Sequence, residues 1–151
     1  MEKEQLALRL GQLLPGAEIN ASKEVVEITT DPSAWHATAS LLANDSQLRF
    51  DYLHNLYSVD WQTDFMMIAH LDSTLEGHSV VLKTRIPDHD QPVIESVSDI
   101  WITANYQERE IYDLMGIRFS NHPDLRRLFL EDGWGFPLRK DYKDDINFIE
   151  R

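Results

Sequence analysis

Residues 106–142 read YQEREIYDLMGIRFSNHPDLRRLFLEDGWGFPLRKDY, and the rest of the chain is a scaffold that presents this stretch. Its first residues continue a helix, because six apolar residues on either side of Tyr106 recur at helical spacing and form one stripe: Val97, Ile100, Trp101, Ala104, Ile111 and Met115. Ser96, followed three residues later by Asp99, predicts a variant capping box at the helix start. Gly116 predicts the helix end, since glycine readily adopts the left-handed conformation found there.

Glu108 lies on the wrong side of this helix for a charged residue. A helical wheel puts it within roughly 20° of the centre of the apolar stripe. Three other charged residues fall on the opposite face, which we expect to be in solvent: Arg109, Glu110 and Asp113. Burying a bare carboxylate is costly, so a buried Glu108 needs a proton or a cationic partner.

The arginines that follow the helix are the candidate partners of Glu108, because a guanidinium group suits a fixed carboxylate pair better than an ammonium group does. They are Arg118, Arg126 and Arg127. We therefore expect Glu108 to be buried and paired with one of them. The alternative is that Glu108 sits at the wet rim of the helix without a partner.

Five groups of residues, in this order and spacing, resemble the C subunit of the proton-pumping NADH–quinone oxidoreductase, respiratory complex I: Glu108-Arg109-Glu110, Tyr112-Asp113, Gly116-Ile117, His122-Pro123-Asp124-Leu125-Arg126-Arg127 and Pro137-Leu138-Arg139-Lys140-Asp141-Tyr142. The resemblance continues more loosely upstream, through residues 83–87 and 96–101. The chain departs from the family pattern at Tyr106, Phe136 and Lys143. None of these departures affects the charged residues of the motifs.

The resemblance implies a peripheral-arm protein that carries no cofactor and performs no catalysis by itself. It implies docking on the D subunit, which forms part of the quinone chamber, beside the neighbouring iron–sulfur subunits. NADH, FMN, iron–sulfur clusters and quinone belong to the whole complex, which couples electron transfer from NADH to quinone to proton translocation. The expected location is the cytoplasmic side of the cell membrane, with membrane contact only through the complex.

The same resemblance supplies the candidate site residues, which we expect to lock the C-terminal arm by ion pairs and to contact the partner protein. They are Glu108, Arg109, Glu110, Asp113, Arg118, His122, Asp124, Arg126, Arg127, Arg139, Lys140 and Asp141. Two alternatives remain open. One is the homologous subunit of a membrane-bound energy-converting hydrogenase, which shares the ERE and HPD-x-RR elements. The other is a free-standing acidic interaction module.

Composition favours one globular domain of 151 residues, with 42% hydrophobic and 26% charged residues. The absence of cysteine excludes disulfides and thiolate-bound clusters. No window approaches the ~20 apolar residues of a membrane span. Residues 1–116 carry 7 basic and 19 acidic side chains, a net charge of −12, which argues against nucleic acid as a partner.

The order of the remaining patterns predicts an α+β fold. Residues 4–14 predict a helix, residues 25–29 a strand, and Asp31-Pro32 the start of a second helix. Alternating apolar residues between 48 and 86 predict three further strands in an antiparallel meander, with an irregularity at residues 53–56. We expect an antiparallel sheet of about four strands, with helices on one face.

After Gly116 the periodicity ends, and residues 117–151 predict an extended arm. The arm contains too many apolar residues for simple disorder, so part of it needs a partner surface. The predicted division is therefore a core domain over residues 1–116 and a docking arm over residues 117–151. The six histidines show no metal-ligand spacing, and no phosphate-binding or nucleophile motif occurs. We expect no metal and no catalytic residue on this chain.

Overall fold

The computed structural model describes residues 1–130 and 135–142, which form three helices and seven strands. The helices are α1 (Lys3–Leu13), α2 (Trp35–Asn44) and α3 (Ala104–Met115), with a 3₁₀ turn over Pro32–Ala34 before α2. The strands are β1 (Glu18–Asn20), β2 (Val26–Thr30), β3 (Tyr52–Asp60), β4 (Phe65–Asp72), β5 (Ser79–Ile86), β6 (Val93–Glu95) and β7 (Arg118–Ser120).

Five strands form the main sheet in the order β1-β2-β5-β4-β3, and β6 pairs with β7 in a small parallel ribbon. The predicted α+β class is confirmed. The sheet differs in detail from the prediction, because it has a fifth strand and one parallel pair, in which Ile28 of β2 lies opposite Leu82 of β5. A three-residue strand such as β1 is too short for an alternating pattern, and local periodicity does not reveal which distant strands pair.

The predicted irregularity before Leu56 is confirmed, since the register between β3 and β4 shifts between Leu53 and Asn55. Beyond the shift the pairing is continuous to the end of the hairpin, where Asp60 lies opposite Phe65. This shift decides which side chains of β3 face the helices.

One face of the sheet is covered by the helices and forms the core. Along β4 every second residue is buried, beginning with Phe65 and ending with Leu71, while the residues between them are half-buried. Side chains of all three helices join the same core, among them Leu10 of α1, Trp35 of α2 and Ile111 of α3. The apolar repeat of the strands therefore determines which face α3 packs against.

Helix α3 is shorter than predicted at its start and ends as predicted. It begins at Ala104, and the preceding residues form turns in which the Trp101 N–H donates to the Val97 carbonyl. Ser96 does not cap the helix, because its hydroxyl is bound to Glu108 instead. Gly116 ends the helix in the left-handed conformation, with φ of 75°.

The chain stays packed on the domain just beyond Gly116. Ile117 and Phe119 are buried in the core, and the backbone between them pairs with β6. The segment that leaves the sheet therefore starts after Ser120. The division into a core domain 1–116 and a docking arm 117–151 stays a prediction about the assembled protein. No helix within the described residues is long and apolar enough to cross a membrane.

Candidate partner-binding site on helix α3

Glu108 is fully buried in the middle of α3, as the wheel predicted. Its Oε1 atom accepts a hydrogen bond of 2.6 Å from the Ser96 hydroxyl, and its Oε2 atom accepts one of 2.9 Å from the Val97 N–H. The predicted arginine partner is wrong, because these two donors come from the turn that precedes the helix. Glu108 therefore joins that turn to α3 and does not reach forward to the arm.

His122 is an ionisable neighbour of Glu108, and its side chain is also fully buried. Its Nδ1 atom accepts from the Asp124 N–H at 2.9 Å, which places the ring proton on Nε2. That Nε2 donates to the Asn105 carbonyl at 3.1 Å and lies 3.9 Å from Glu108 Oε1. The imidazole thus joins the loop after β7 to the first turn of α3.

Burial is the largest influence on the pKa of Glu108. Removal from water raises the pKa of Glu108 to about 7, and the hydrogen bonds from Ser96 and Val97, which lower the pKa, offset only part of this. The negative charge of Asp99 raises the pKa further. Near neutral pH this carboxyl group is therefore divided between its protonated and ionised forms.

Asp113 makes the ion pair that the sequence assigned to Glu108. Its Oδ1 atom accepts from Arg127 Nε at 2.5 Å, and its Oδ2 atom accepts from the N–H groups of Phe129 at 2.7 Å and Leu130 at 3.2 Å. Burial alone would raise the pKa of Asp113, but these three donors outweigh it and lower the pKa. Asp113 therefore remains ionised and holds the backbone of the arm.

The prediction that Asp113 lies on the solvent face of α3 is wrong, since its side chain is fully buried. The wheel placed it correctly relative to the apolar stripe. However, residues 127–130 of the arm cover that second face of the helix. A pattern within one helix does not reveal that an irregular segment will pack on it.

The arm continues across the end of α3. Arg127 Nη2 donates to the Gly135 carbonyl at 2.7 Å, and its guanidinium lies 5.1 Å from the centre of the Phe136 ring. Arg139 lies between the rings of Phe65 and Phe136, at 5.4 and 5.3 Å from their centres. Arg139 Nε donates to the Met115 carbonyl at 2.6 Å, so a cation satisfies a free carbonyl at the helix C-terminus.

Asp60, at the end of β3, anchors the last described part of the arm. The Lys140 N–H donates to Asp60 Oδ2 at 2.9 Å, and His89 Nε2 and the Gln62 N–H donate to Oδ1 at 2.8 and 2.7 Å. Burial opposes ionisation of Asp60, yet these donors lower its pKa. One carboxylate thus joins the β3–β4 turn, the loop after β5 and the arm.

The structure divides the twelve predicted residues into two groups. Glu108, Asp113, His122, Arg127 and Arg139 make internal contacts that hold the arm and the turns on α3. The others present side chains that are exposed or half-exposed: Arg109, Glu110, Arg118, Asp124, Arg126, Lys140 and Asp141. Arg109 is only half-exposed, because its Nη2 atom also donates to the Arg127 carbonyl of the arm at 3.4 Å. We call these seven the outward residues, and their contact with a partner stays a prediction.

The sequence did not single out Ser96 as a partner of Glu108, nor Asp60 as an anchor. Ser96 carried a signal, but that signal predicted a helix cap. Asp60 was not predicted to be buried, because the alternation of Tyr57, Val59 and Trp61 placed the apolar side chains of β3 on the other face. In the structure Trp61 is 54% exposed and Asp60 is buried. No group of three metal-ligating side chains lies together within residues 1–130 and 135–142.

Comparison with known protein families gives a match over residues 28–146 to the family described as the 30 Kd subunit of respiratory-chain NADH dehydrogenase. A curated relative from Burkholderia cenocepacia, the C subunit of its NADH-quinone oxidoreductase, is 36% identical over 151 residues, which cover 92% of this chain and 76% of that protein. The corresponding C subunit of Chloroherpeton thalassium is 42% identical over 112 residues, covering 73% of this chain and 47% of that protein.

A relative from Phocaeicola vulgatus is named for both C and D, as the C/D subunit of NADH-quinone oxidoreductase. It is 46% identical over 99 residues, covering 64% of this chain but only 19% of that protein. The chain therefore spans about a fifth of that C/D relative and about half of the Chloroherpeton protein.

Among solved structures, a chain of the membrane-bound sulfane sulfur reductase, an archaeal respiratory membrane complex, has the same fold. The TM-score is 0.81 at 23% identity, and the similarity covers 92% of this chain and 84% of that one.

Proposed function

Because this chain belongs to the family of the 30 Kd subunit of respiratory-chain NADH dehydrogenase, we propose that it docks on the D subunit in the peripheral arm of an NADH–quinone oxidoreductase. The resemblance to the C subunit read from the charged motifs is thereby confirmed at the level of the family. In the proposed assembly this chain carries no cofactor and performs no chemistry itself. NADH, FMN, iron–sulfur clusters and quinone are handled by other subunits.

The observation that carries this proposal is the match over residues 28–146, which includes α3 and the arm as far as residue 146. The C/D relatives support the D subunit in the role of neighbour, because their name joins C and D in one protein. The Burkholderia, Chloroherpeton and Phocaeicola relatives are all named for NADH and quinone, which favours this function over the hydrogenase alternative.

The geometry of α3 supports the same proposal. Arg127 and Arg139 fold the arm onto the helix, while Arg126 keeps 69% of its side chain exposed. A fixed arm presents its outward cations in a defined arrangement, and such an arrangement favours specific recognition of a partner. We propose that the seven outward residues meet the D subunit or the neighbouring iron–sulfur subunits, and that membrane contact occurs only through the complex, on its cytoplasmic side.

The experiment is a tagged copy of this chain, expressed from its own locus and purified in mild detergent. We expect the D subunit to co-purify in equal amount, together with iron–sulfur subunits, and deletion of the gene to abolish NADH-dependent quinone reduction in membranes. Co-purification with a nickel–iron large subunit would support the hydrogenase alternative. Recovery of the chain without any redox protein would overturn the proposal.

A further inference from the structure

The face of α3 that carries Asp113 is covered along only part of its length. Residues 127–130 of the arm cover its C-terminal half. Tyr106 lies about two turns earlier on the same face, and Ile102 lies in the turn that precedes the helix. Within the described residues this N-terminal half is left bare, because Ile102 is 87% and Tyr106 is 56% exposed.

Five residues of α3, its entry turn and the arm form one surface, which we call the α3–arm patch: Ile102, Tyr106, Arg109, Arg126 and Phe129. Arg109 joins its two halves. Its guanidinium lies 5.9 Å from the centre of the Tyr106 ring, and its Nη2 atom donates to the Arg127 carbonyl of the arm at 3.4 Å. On the arm side, Phe129 is 63% exposed and the Arg126 side chain is 69% exposed.

The α3–arm patch has the size and the composition of a protein-binding surface. A whole aromatic side chain offers about 150–250 Å², so Tyr106 and Phe129 together expose on the order of 200–250 Å². Ile102 extends this apolar surface into the ~300–600 Å² range of the largest patch on a typical monomer, which is often functional. Tyrosine and arginine are also among the residues that contribute most of the binding energy at protein interfaces.

We propose that the α3–arm patch receives an acidic amphipathic helix of another subunit of the oxidoreductase. Its apolar stripe would lie against Ile102, Tyr106 and Phe129, and its carboxylates beside the two arginines. The inference rests on the proposed function, which supplies the neighbouring subunits. A helix fits this surface because side chains one turn apart form ridges, and the ridges of one helix pack into the grooves of another. An amphipathic helix also presents apolar side chains at that same spacing.

Charge favours an acidic helix over the other possible occupants. Residues 1–116 carry a net charge of −12, yet this part of the surface presents Arg109 and Arg126. Arg126 makes a surface ion pair of 3.1 Å with Asp124 and still remains largely exposed, so it can attract a further carboxylate. A second copy of this chain fits poorly, because a symmetric dimer through the patch brings the same arginines against each other.

The test is site-specific photocrosslinking in the assembled enzyme. A benzophenone amino acid replaces Tyr106 in one strain and Leu8 in a control strain. Leu8 is an exposed residue of α1, which packs on β1 and β2, whereas α3 packs on β3 at the opposite edge of the sheet. We expect the Tyr106 position to link to one other subunit, and the linked peptide to carry apolar residues three or four apart with flanking Asp or Glu. The Leu8 position should not give this product.

Three substitutions test the chemistry of the α3–arm patch. Arg126→Glu reverses the charge offered to the partner, Ile102→Glu removes an apolar contact, and Leu8→Glu is the matched control on α1. We expect the first two to weaken binding of the crosslinked subunit by about tenfold or more, and Leu8→Glu by less than about twofold. All three side chains are exposed, so urea unfolding of each isolated variant should be nearly unchanged. If a variant does not fold, the crosslink at Tyr106 still decides.

The outcomes distinguish this inference from the proposed function. A chain that purifies without any redox subunit contradicts the proposed function and the inference with it. An assembled enzyme in which the Tyr106 position links to no other subunit, to a second copy or to its own chain overturns only the inference. A link to a segment without helical apolar spacing, or to one flanked by basic residues, overturns it as well.

Discussion

Glu108 and Asp113 lie on the same helix, and their surroundings move their pKa values in opposite directions. Both carboxyl groups are fully buried. The difference lies in the donors: Asp113 receives a guanidinium N–H and two backbone N–H groups, whereas Glu108 receives one hydroxyl and one backbone N–H. Two hydrogen bonds from neutral donors do not offset the loss of water around Glu108.

The raised pKa of Glu108 predicts a pH-dependent stability. The folded-state pKa of about 7 exceeds the ordinary value of 4.5, so the stabilisation is fully present below pH 4.5 and is lost as the pH rises through 7. We expect the contribution of Glu108 to fall by about 3 kcal/mol over this range, at about 1.4 kcal/mol per pH unit. The lowered pKa values of Asp60 and Asp113 act at more acidic pH than this window.

Urea unfolding of the protein and of Glu108→Gln at pH 5 and pH 8 measures this effect. A glutamine side chain accepts from the Val97 N–H and donates to the Ser96 hydroxyl, so it mimics the protonated acid. The free energy of unfolding of the variant, relative to that of the original chain, should therefore rise by about 3 kcal/mol from pH 5 to pH 8. If the two proteins differ in free energy of unfolding by the same amount at pH 5 and at pH 8, Glu108 does not titrate in this window.

Asp113→Ala and Glu110→Ala form a matched pair on α3. Asp113 holds Arg127 and two backbone N–H groups, so its truncation leaves a buried cation and two donors without partners. We expect Asp113→Ala to lower the free energy of unfolding by about 3 kcal/mol. Glu110 is exposed, and its truncation should change that free energy by at most about 0.5 kcal/mol. Equal losses in urea unfolding would mean that the arm does not shield Asp113.

At the residue scale the sequence predicted one buried carboxylate correctly and missed the other. Glu108 was found because it interrupts an apolar stripe, and that stripe reports packing against the sheet. Asp113 was missed because the cover on its face comes from residues 127–130, which have no periodicity of their own. Its partner was missed for the same reason, although Arg127 was among the arginines considered.

At the scale of elements, the end of α3 depends on a glycine that has two functions. Gly116 adopts φ of 75°, and the Phe136 ring of the arm packs directly on it. A Cβ atom at this position would lie 2.6 Å from a carbon of that ring. The left-handed glycine was predicted from its place after the helix. The contact with Phe136 was not predictable, because it depends on the path of the arm.

Gly116→Ala and Gly77→Ala separate these two functions. Both glycines have positive φ values, 75° and 72°, so either substitution costs about 1–2 kcal/mol of backbone strain. No atom lies within 4 Å of a Cβ at Gly77, which makes it the control for strain alone. We expect Gly116→Ala to lose more stability than Gly77→Ala and to accelerate proteolysis of the arm. Equal losses, with an arm as resistant as before, would contradict the packing of Phe136 on Gly116.

At the scale of the whole molecule, charge is distributed unevenly along the chain, and the structure places the arginines of the arm in two different environments. Residues 1–116 carry a net charge of −12, whereas residues 117–151 carry 7 basic and 7 acidic side chains. Arg127 and Arg139 turn inward and bind α3, while Arg118 and Arg126 remain exposed. The fold class and the helix end were predictable from local sequence patterns. Which arginines turn inward and which stay exposed was not predictable, because it depends on the tertiary path of the arm.

If the chain assembles as proposed, the different surroundings of the two arginines predict different effects of Arg126→Ala and Arg127→Ala on that assembly. Arg127→Ala frees the arm from Asp113, so we expect the sheet to remain folded while the amount of assembled complex falls severalfold. The ion pair between Arg126 and Asp124 is at the surface, and such a pair contributes at most about 1 kcal/mol to the stability of the isolated chain. Any loss of assembly in Arg126→Ala therefore reports contact with a partner.

Membranes that carry each variant test the proposed assembly, with the amount of complex and the rate of quinone reduction quantified separately. A scaffold protein changes how much complex forms and leaves the turnover of each assembled complex unchanged, because its residues do not touch the reacting groups. We expect both variants to follow this pattern. A variant that assembles fully but turns over slowly would overturn the scaffold role proposed for the arm.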